Sequence, residues 1–489
     1  MAAGIAATPR LTMKSGQTKR AYVIGSGPNG LAAAIVLAEA GLQVEVFEAE
    51  AEPGGAARSL PLTLPGFLHD FGSAVHPLAA GSPIFSALPL NDYGLDWIHG
   101  DAPLAHPLDD GSAVTLERNL DDAERELDDD GPAWRNLVEP AAANWDRFAR
   151  DALGPMLRIP RHPFGMARFG LAAFQPARRL AKSHFAGERA RALFAGLAGH
   201  SFLSFKEPLS SAIALILGAA ADAVGWPIPR GGARAIPHSL VNYLETRGGT
   251  VHTSRRIGPG EFAKMAAEGA LILCDLAPRA LATIAGSRLP ASFHRAADRF
   301  RHAPGAFKID YALSDPVPWR ASACRRAITV HLGGSFEEIA ASEEAVTQGR
   351  CAERPFVLAA QPTLFDPARA PHGKHILWAY CHVPNASTFD MTDRIEAQIE
   401  RFAPGFRDCV LARHVSSPAE LERMDSNLVG GDISGGALNL GQLLFRPSVR
   451  EYATGRPNIY LCSASTPPGG GVHGMCGYYA AKLALRRIG

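Results

Sequence analysis

Gly25-Ser-Gly27-Pro-Asn-Gly30 fits the pattern G-x-G-x-x-G, and an acid, Glu48, follows 18 residues after Gly30. Residues of these types at this spacing suit the binding of a dinucleotide. Gly25 permits a tight turn. Gly27 has no Cβ, so a pyrophosphate can approach the backbone. Gly30 lets a helix and a strand pack closely. Free N–H groups at a helix start offer partial positive charge to phosphates. Glu48 can accept hydrogen bonds from ribose hydroxyls, and its charge disfavours the 2′-phosphate of NADP.

Three glycines alone are a weak signal, so the elements around them decide. Ala21–Gly25 is an apolar run ending in glycine and predicts a buried strand. Gly30–Ala40 predicts an Ala/Leu-rich helix stopped by Gly41. Gln43–Phe47 predicts a second strand. The unit is therefore β-α-β, with a parallel pair and a right-handed crossover. The style returns later, with a helix over 233–247, strands over 250–253, 270–275 and 457–462, and a helix from about Val472 to Leu485. The fold class expected is α/β, with a Rossmann-type dinucleotide-binding domain assembled from 20–75, 220–290 and 440–489. The intervening stretches, 76–219 and 291–439, predict an α+β substrate domain with a mixed sheet and a helical cap. Strands are expected at Ala306–Leu313, Phe356–Ala360, His375–His382 and Asp408–His414, and a buried helix over Leu209–Val224. Residues 1–19 read as a disordered leader, with a short transit peptide as the alternative.

The 489 residues are enough for two domains, and 47% hydrophobic with 20% charged residues is ordinary for a globular enzyme. A net charge of +1 gives no field to steer nucleic acid. The seven cysteines include no CxxC pair, which fits reduced thiols and a cytoplasmic location. No metal site is expected. No apolar run is long enough for a transmembrane segment.

Glu52-Pro-Gly54-Gly55-Ala-Ala-Arg58-Ser59 follows Glu48 directly and resembles the matching segment of the flavin amine oxidase and phytoene desaturase superfamily. The resemblance implies FAD, with Gly55 in the loop and Arg58 lying along the cofactor. Other segments are similar to the phytoene-desaturase-like branch. These are His69-Asp-Phe-Gly-Ser-Ala-Val-His76, Trp226-Pro-Ile-Pro-Arg-Gly-Gly232, and Gly249–Ile257, where the backbone near Ile257 would meet adenine. Ser463–Met475 resembles the closing flavin motif, which implies cofactor contacts from Gly470, Gly471, Val472 and His473. Many relatives carry an acid where Cys462 and Ser463 stand, so Ser463, or a backbone group, is expected to donate to the cofactor instead. Cys476 is the cysteine close enough to this turn to consider for covalent flavin. The branch includes the pyridine nucleotide-disulfide oxidoreductase domain-containing protein 2 type, but this chain has no CxxxxC redox pair.

No second G-x-G-x-x-G directly follows a strand, so electrons are expected to leave for oxygen, a quinone or a carrier protein. The resemblance implies hydride removal from a C–H bond of a small apolar substrate, polyenes included. The alternatives are amine-type C–N oxidation, reduction or isomerisation of a double bond, and a non-catalytic flavin-stabilised regulator. Pro304–Trp319 is similar to a superfamily strand whose lysine holds a water at flavin N5. This makes Lys308 the candidate catalytic residue, against a lysine on a solvated face paired with Asp310. Trp226, Phe202, Phe205 and Trp378 suit either an apolar tunnel or a core. His76, His200, His331 and His382 read as satisfied structural histidines, with His473 the exception. The basic stretch Arg158–Arg191 reads as a solvated cap, with peripheral membrane contact as the alternative.

Overall fold

The computed structural model describes residues 20–155 and 158–488; the leader lies outside them. The main strands are, in chain order, β1 (Arg20–Ile24), β2 (Gln43–Phe47), β3 (Ala102–Pro107), β4 (Ala113–Leu116), β5 (Thr250–His252), β6 (Leu271–Cys274) and β7 (Gly305–Leu313). They continue with β8 (Ala327–Leu332), β9 (Val357–Ala360), β10 (His375–Val383), β11 (Val410–Ser416), β12 (Ala453–Arg456) and β13 (Ile459–Leu461).

One sheet has the order β12-β13-β6-β1-β2-β5. Its pairs are parallel except the antiparallel edge pair β12–β13. Central parallel strands are covered on both faces, which explains the unbroken apolar runs of β1 and β6. The first helix is Pro28–Glu39, two residues earlier than the glycine pattern suggested, because Pro28 sits at its first turn without needing an N–H partner. The last helix is Met475–Ile488 and not Val472–Leu485. Gly474, at φ +69°, turns the chain before it, and the Met475 N–H donates to His473 Nδ1 at 3.0 Å. A Cβ at Gly477 would stand 1.8 Å from Asn29 O, so the last helix lies directly against the start of the first. That contact brings the two glycine turns to one place.

The second sheet has the order β11-β7-β10-β9-β8-β3-β4 and is mixed, because β3 and β8 run parallel within an antiparallel set. Ile395, Ile399 and Phe402, from the helix Thr392–Phe402, pack on its apolar face. Toward the other side stand the helices Pro163–Ala173, Ala177–His184, Glu188–Gly199 and Ala212–Ala223. The last is the buried helix expected over Leu209–Val224, shortened at both ends. No helix among the described residues is long and apolar enough to cross a membrane.

Candidate active site

A cavity of about 980 Å³ is lined by residues from both sheets and from the helices above. Gly25, Gly27, Glu48, Gly55, Arg58, Ile257, Gly470, Gly471, Val472, His473 and Lys308 all line it. Gly30 stands behind the wall. A Cβ there would be 2.1 Å from Gly25 O, so its glycine serves the closure of the turn.

Glu48 ends β2 inside this wall. Its Oε2 accepts from the Ser26 N–H (2.9 Å) and hydroxyl (2.6 Å), and its Oε1 accepts from the Glu50 N–H (2.9 Å). These bonds fix the carboxylate while leaving lone pairs for ribose hydroxyls. Gly25, at φ +97°, makes the turn that a Cβ would strain. Sequence reasoning missed Asp275, which follows β6 and crosses the mouth of the same turn. Its Oδ2 accepts from the Gly30 N–H at 2.9 Å, and a Cβ on Gly27 would sit 2.6 Å from it. Gly27 is therefore required by a protein carboxyl as well as by any phosphate. Burial, with Asp425 and Glu48 adding to it, pushes Asp275 up to about 7 against the pull of the Gly30 N–H. The available signal was an acid directly after a buried strand of the dinucleotide fold.

Arg58 donates to Gly55 O (2.8 Å) and Met424 O (2.6 Å), and its guanidinium lies 5.2 Å from the centre of the Phe71 ring. It ties the Gly54-Gly55 loop to the 421–428 segment. In the closing turn, a Cβ on Gly470 would be 2.5 Å from Ser434 O, and Gly471 has φ +122°. The buried Arg446, also missed from sequence, donates to Ser434 O, Gly435 O and Ala464 O and so holds two wall segments together. Two expectations are corrected here. Ser463 Oγ donates its proton to Leu276 O at 2.7 Å, so it has none left for the cofactor. The Cys476 thiol is fully buried off the cavity wall, has Thr466 O and Gly469 O as acceptors for its one proton, and is pushed by burial up to about 12. A thiol held protonated is not a nucleophile for covalent attachment.

Lys308 lies on β7, a strand buried along its whole length, so the solvated-face alternative does not hold. Its Nζ pairs closely with Asp310 Oδ2, two residues along on the same face. Burial drives the ammonium down and the carboxyl up to about 6, while each partner's charge opposes both shifts. His69 Nδ1 stands 3.8 Å from Asp310 Oδ1, and burial, followed by the charge on Lys308, lowers this histidine to about 3. Trp378 is 5.9 Å from Lys308 Nζ and is anchored by its indole N–H on Gly72 O.

Trp226, Phe202 and Trp378 line the cavity, whereas Phe205 packs on Phe336 in the core. The expectation of satisfied histidines is corrected for His76, whose two ring nitrogens are both buried without partners; His331 and His382 each keep one bond, to His200 and Glu343, and leave the other nitrogen unpaired. Among the described residues, no group of three or more His, Cys, Asp or Glu is placed to hold a metal.

The wall fits FAD: a fixed acid at the end of β2, glycine turns without Cβ atoms and the start of the first helix face one space. A family model described as flavin containing amine oxidoreductase matches residues 29–477. Pyridine nucleotide-disulfide oxidoreductase domain-containing protein 2 of Mus musculus is 25% identical, over 96% of this chain and 93% of that one. A zeta-carotene-forming phytoene desaturase of Myxococcus xanthus is 26% identical, over 97% and 94%. An oxidoreductase from Methanosarcina mazei shares the fold at a TM-score of 0.64 and 17% identity, over 96% and 100% of the two chains. An engineered putrescine oxidase does so at 0.61 and 15%, over 96% and 99%. The chain belongs to the family of flavin containing amine oxidoreductases and is an FAD-dependent oxidoreductase.

Proposed function

We propose that the protein removes a hydride from one C–H bond of an apolar substrate and a proton from the adjacent carbon, leaving a carbon–carbon double bond. The observation that carries this reading is the continuity of the dinucleotide cradle with an apolar chamber, whose wall includes Leu203, Ile213, Ile216, Leu217 and Trp226. The carboxylates on the wall are engaged. Asp151 accepts from Arg158 and two backbone N–H groups, Asp432 from Ser434 and Ala303, Asp425 from the Asn427 N–H, and Asp275 from the Gly30 N–H. Of the other wall acids, Glu48 stands in the dinucleotide cradle and Glu50 pairs with Arg58 and Arg256, which favours a neutral substrate over an amine in the apolar chamber. The names of the distant phytoene desaturase relatives point the same way. Bound FAD would supply the hydride acceptor. The chain's own part is to hold the substrate in a dry chamber and to keep a proton at the Lys308–Asp310 pair, where it can pass between Nζ and Oδ2. Glu48, Gly55, Arg58, Ile257 and the 470–473 turn would hold the cofactor.

The test is anaerobic mixing of the FAD-loaded protein with apolar alkenes, polyenes and amines while the flavin colour is followed. Bleaching by an alkene or polyene, and by no amine, is the expected result. Bleaching by amines alone would move the reaction to C–N oxidation. A flavin that no compound bleaches would favour a non-catalytic regulator. Oxygen, a quinone and a carrier protein are the acceptors to try for reoxidation.

The cap supplies an entrance. Ile159, Phe164 and Leu171 are 86%, 90% and 78% exposed, while Pro160, Met166 and Gly170 beside them line the cavity. No acid occurs from 152 to 187; Arg158 pairs with Asp151, and Arg178 and Lys182 with Glu337, and Arg161, Arg168 and Arg179 remain. An apolar face inside an acid-free basic stretch suits an anionic lipid surface. In co-sedimentation, the protein should follow vesicles containing phosphatidylglycerol more than pure phosphatidylcholine. Phe164→Ser with Leu171→Ser should weaken that binding roughly ten-fold or more, given the apolar area lost. Protein left in the supernatant by both lipids would remove the entrance and leave the chamber reading intact.

A further inference from the structure

The chamber has a polar feature that hydride removal does not use. Register places Lys308, Tyr380, Leu358 and His331 in one row across β7, β10, β9 and β8. Three strand spacings, about 14 Å, separate its ends. In front of His331 stands His200, which lines the cavity at the end of the helix Glu188–Gly199. The two Nε2 atoms are 3.1 Å apart. The surroundings are otherwise apolar, with Trp226 6.0 Å from His200 and Phe356 5.3 Å from His331, ring centre to ring centre.

Behind His331 lies a third histidine. His106 Nε2 is 2.7 Å from Gly334 O. His331 Nδ1 and His106 Nδ1 are both buried without partners. Both are turned toward Gly196, at 2.6 and 3.2 Å from where a Cβ would stand. The absence of a side chain there lets the two rings share the space.

The network assigns the tautomers. A carbonyl can only accept, so His106 must carry its proton on Nε2, which leaves a lone pair on its Nδ1. Across the Gly196 space from that lone pair, His331 is assigned its proton on Nδ1, where the lone pair attracts it although the two atoms make no hydrogen bond, and a lone pair on Nε2. His200 must then donate from Nε2 to His331. That leaves its Nδ1, which has no hydrogen bond among the described residues, as a hydrogen-bond acceptor at the chamber wall. We propose that His200, set by His331 and His106, is the anchor for a terminal hydroxyl of an otherwise apolar substrate, which donates to His200 Nδ1.

Burial is consistent with this choice. It lowers His200 to about 3 and His106 to about 4, and His331 further, so the row is neutral. A neutral acceptor receives an O–H donor well, but it cannot offset the desolvation of a carboxylate. It also gives nothing to an ether or a plain hydrocarbon. The anchored end of the substrate would lie about 14 Å from the Lys308 position, along the strand row.

The inference rests on reading the chamber as the substrate site, so its test measures binding and not turnover. The FAD-loaded protein is titrated with three fluorescent tetraenes of one length: parinaryl alcohol, its methyl ether and parinaric acid. The alcohol should bind about ten-fold more tightly than the ether, as one buried hydrogen bond allows, and the acid should bind weakly at neutral pH. His200→Phe should erase that preference while the ether binds as before. His200→Gln, which keeps an acceptor, should restore part of it. His331→Phe, which removes the ring that sets His200, should reduce it independently if His200→Phe folds poorly. Equal binding of alcohol and ether by the native protein would overturn the anchor and leave the chamber standing. A preference that survives both phenylalanine variants would overturn it too. Binding of none of the three would remove chamber and anchor together. A clear preference in a protein whose flavin no alkene bleaches would keep the anchor and discard the desaturation.

Discussion

Gly27→Val is expected to give a folded protein that purifies without FAD. Gly27 has φ −60° and ψ 168°, a conformation open to any residue, so valine adds no backbone strain. The effect is steric. A Cβ at this position stands 2.6 Å from Asp275 Oδ2, closer than real contacts allow. The carboxyl must swing away, abandon the Gly30 N–H and move into the space a diphosphate needs, while the valine methyls fill the rest. The flavin-to-protein ratio should fall from about one to near zero, in line with the loss of a close backbone approach. The melting temperature should match that of wild-type protein stripped of FAD. Full FAD content in the variant would falsify the assignment of this turn to the cofactor. Asp275→Asn separates charge from shape. Asp275 is pushed up to about 7 in the folded protein. Below that value it carries a proton it can donate, and above it a negative charge faces the diphosphate. FAD affinity should therefore fall as pH rises through about 7 in the native protein, and stay flat in the asparagine variant. Release of FAD, followed by its fluorescence, reads both profiles. A flat native profile would place the carboxyl away from the phosphates.

Lys308→Met should slow flavin reduction by substrate, or reoxidation by the acceptor, by roughly ten-fold or more, the lower range for removing a positioned proton-transfer group. The structure adds a complication absent from the sequence reading. Asp310 is fully buried and Lys308 is its cation, so methionine leaves a carboxyl without its partner. Breaking a buried pair from one side costs about 3–5 kcal/mol when the remaining group stays charged. With burial already raising Asp310 to about 6, and the lysine that opposed the rise gone, the group will take up a proton and limit the loss. Lys308→Met with Asp310→Leu replaces both members by apolar groups and should recover most of the stability. It should not recover the rate. Slow half-reactions in both variants, with stability restored in the double one, place the effect in chemistry. Unchanged rates in the single variant would return Lys308 to a structural role.

The glycine turn shows what was legible and what was not. Gly25, Gly27, Gly30 and Glu48 span 24 residues, a distance over which strand and helix periods and the positive φ of Gly25 leave little choice. The closing turn was placed correctly in the chain, but its helix begins three residues later. Gly474 and the bond from the Met475 N–H to His473 set that start, and such local capping does not show in a hydrophobic pattern. Lys308 was legible as a strand residue. Its burial was not, because alternation separates two faces without saying which one meets solvent.

The sequence by itself determined the β-α-β unit, the acid that ends its second strand, the Gly-Gly loop after it and the later strands that join the first sheet, apart from the edge strand β12. Each depends on residues close in the chain, where backbone dihedrals and hydrophobic period act directly. Only the tertiary structure decided which carboxyl crosses the glycine turn, which backbone oxygens take the hydrogen bonds of Arg446, and how three histidines line up behind the chamber. Asp275 reaches Gly30 across 245 residues, and His200 reaches His331 across 131. Such pairings arise from strand register and helix packing, and the exclusion of water that follows sets their protonation. Neither register nor burial is a property of any short segment, so neither can be read before the chain is folded.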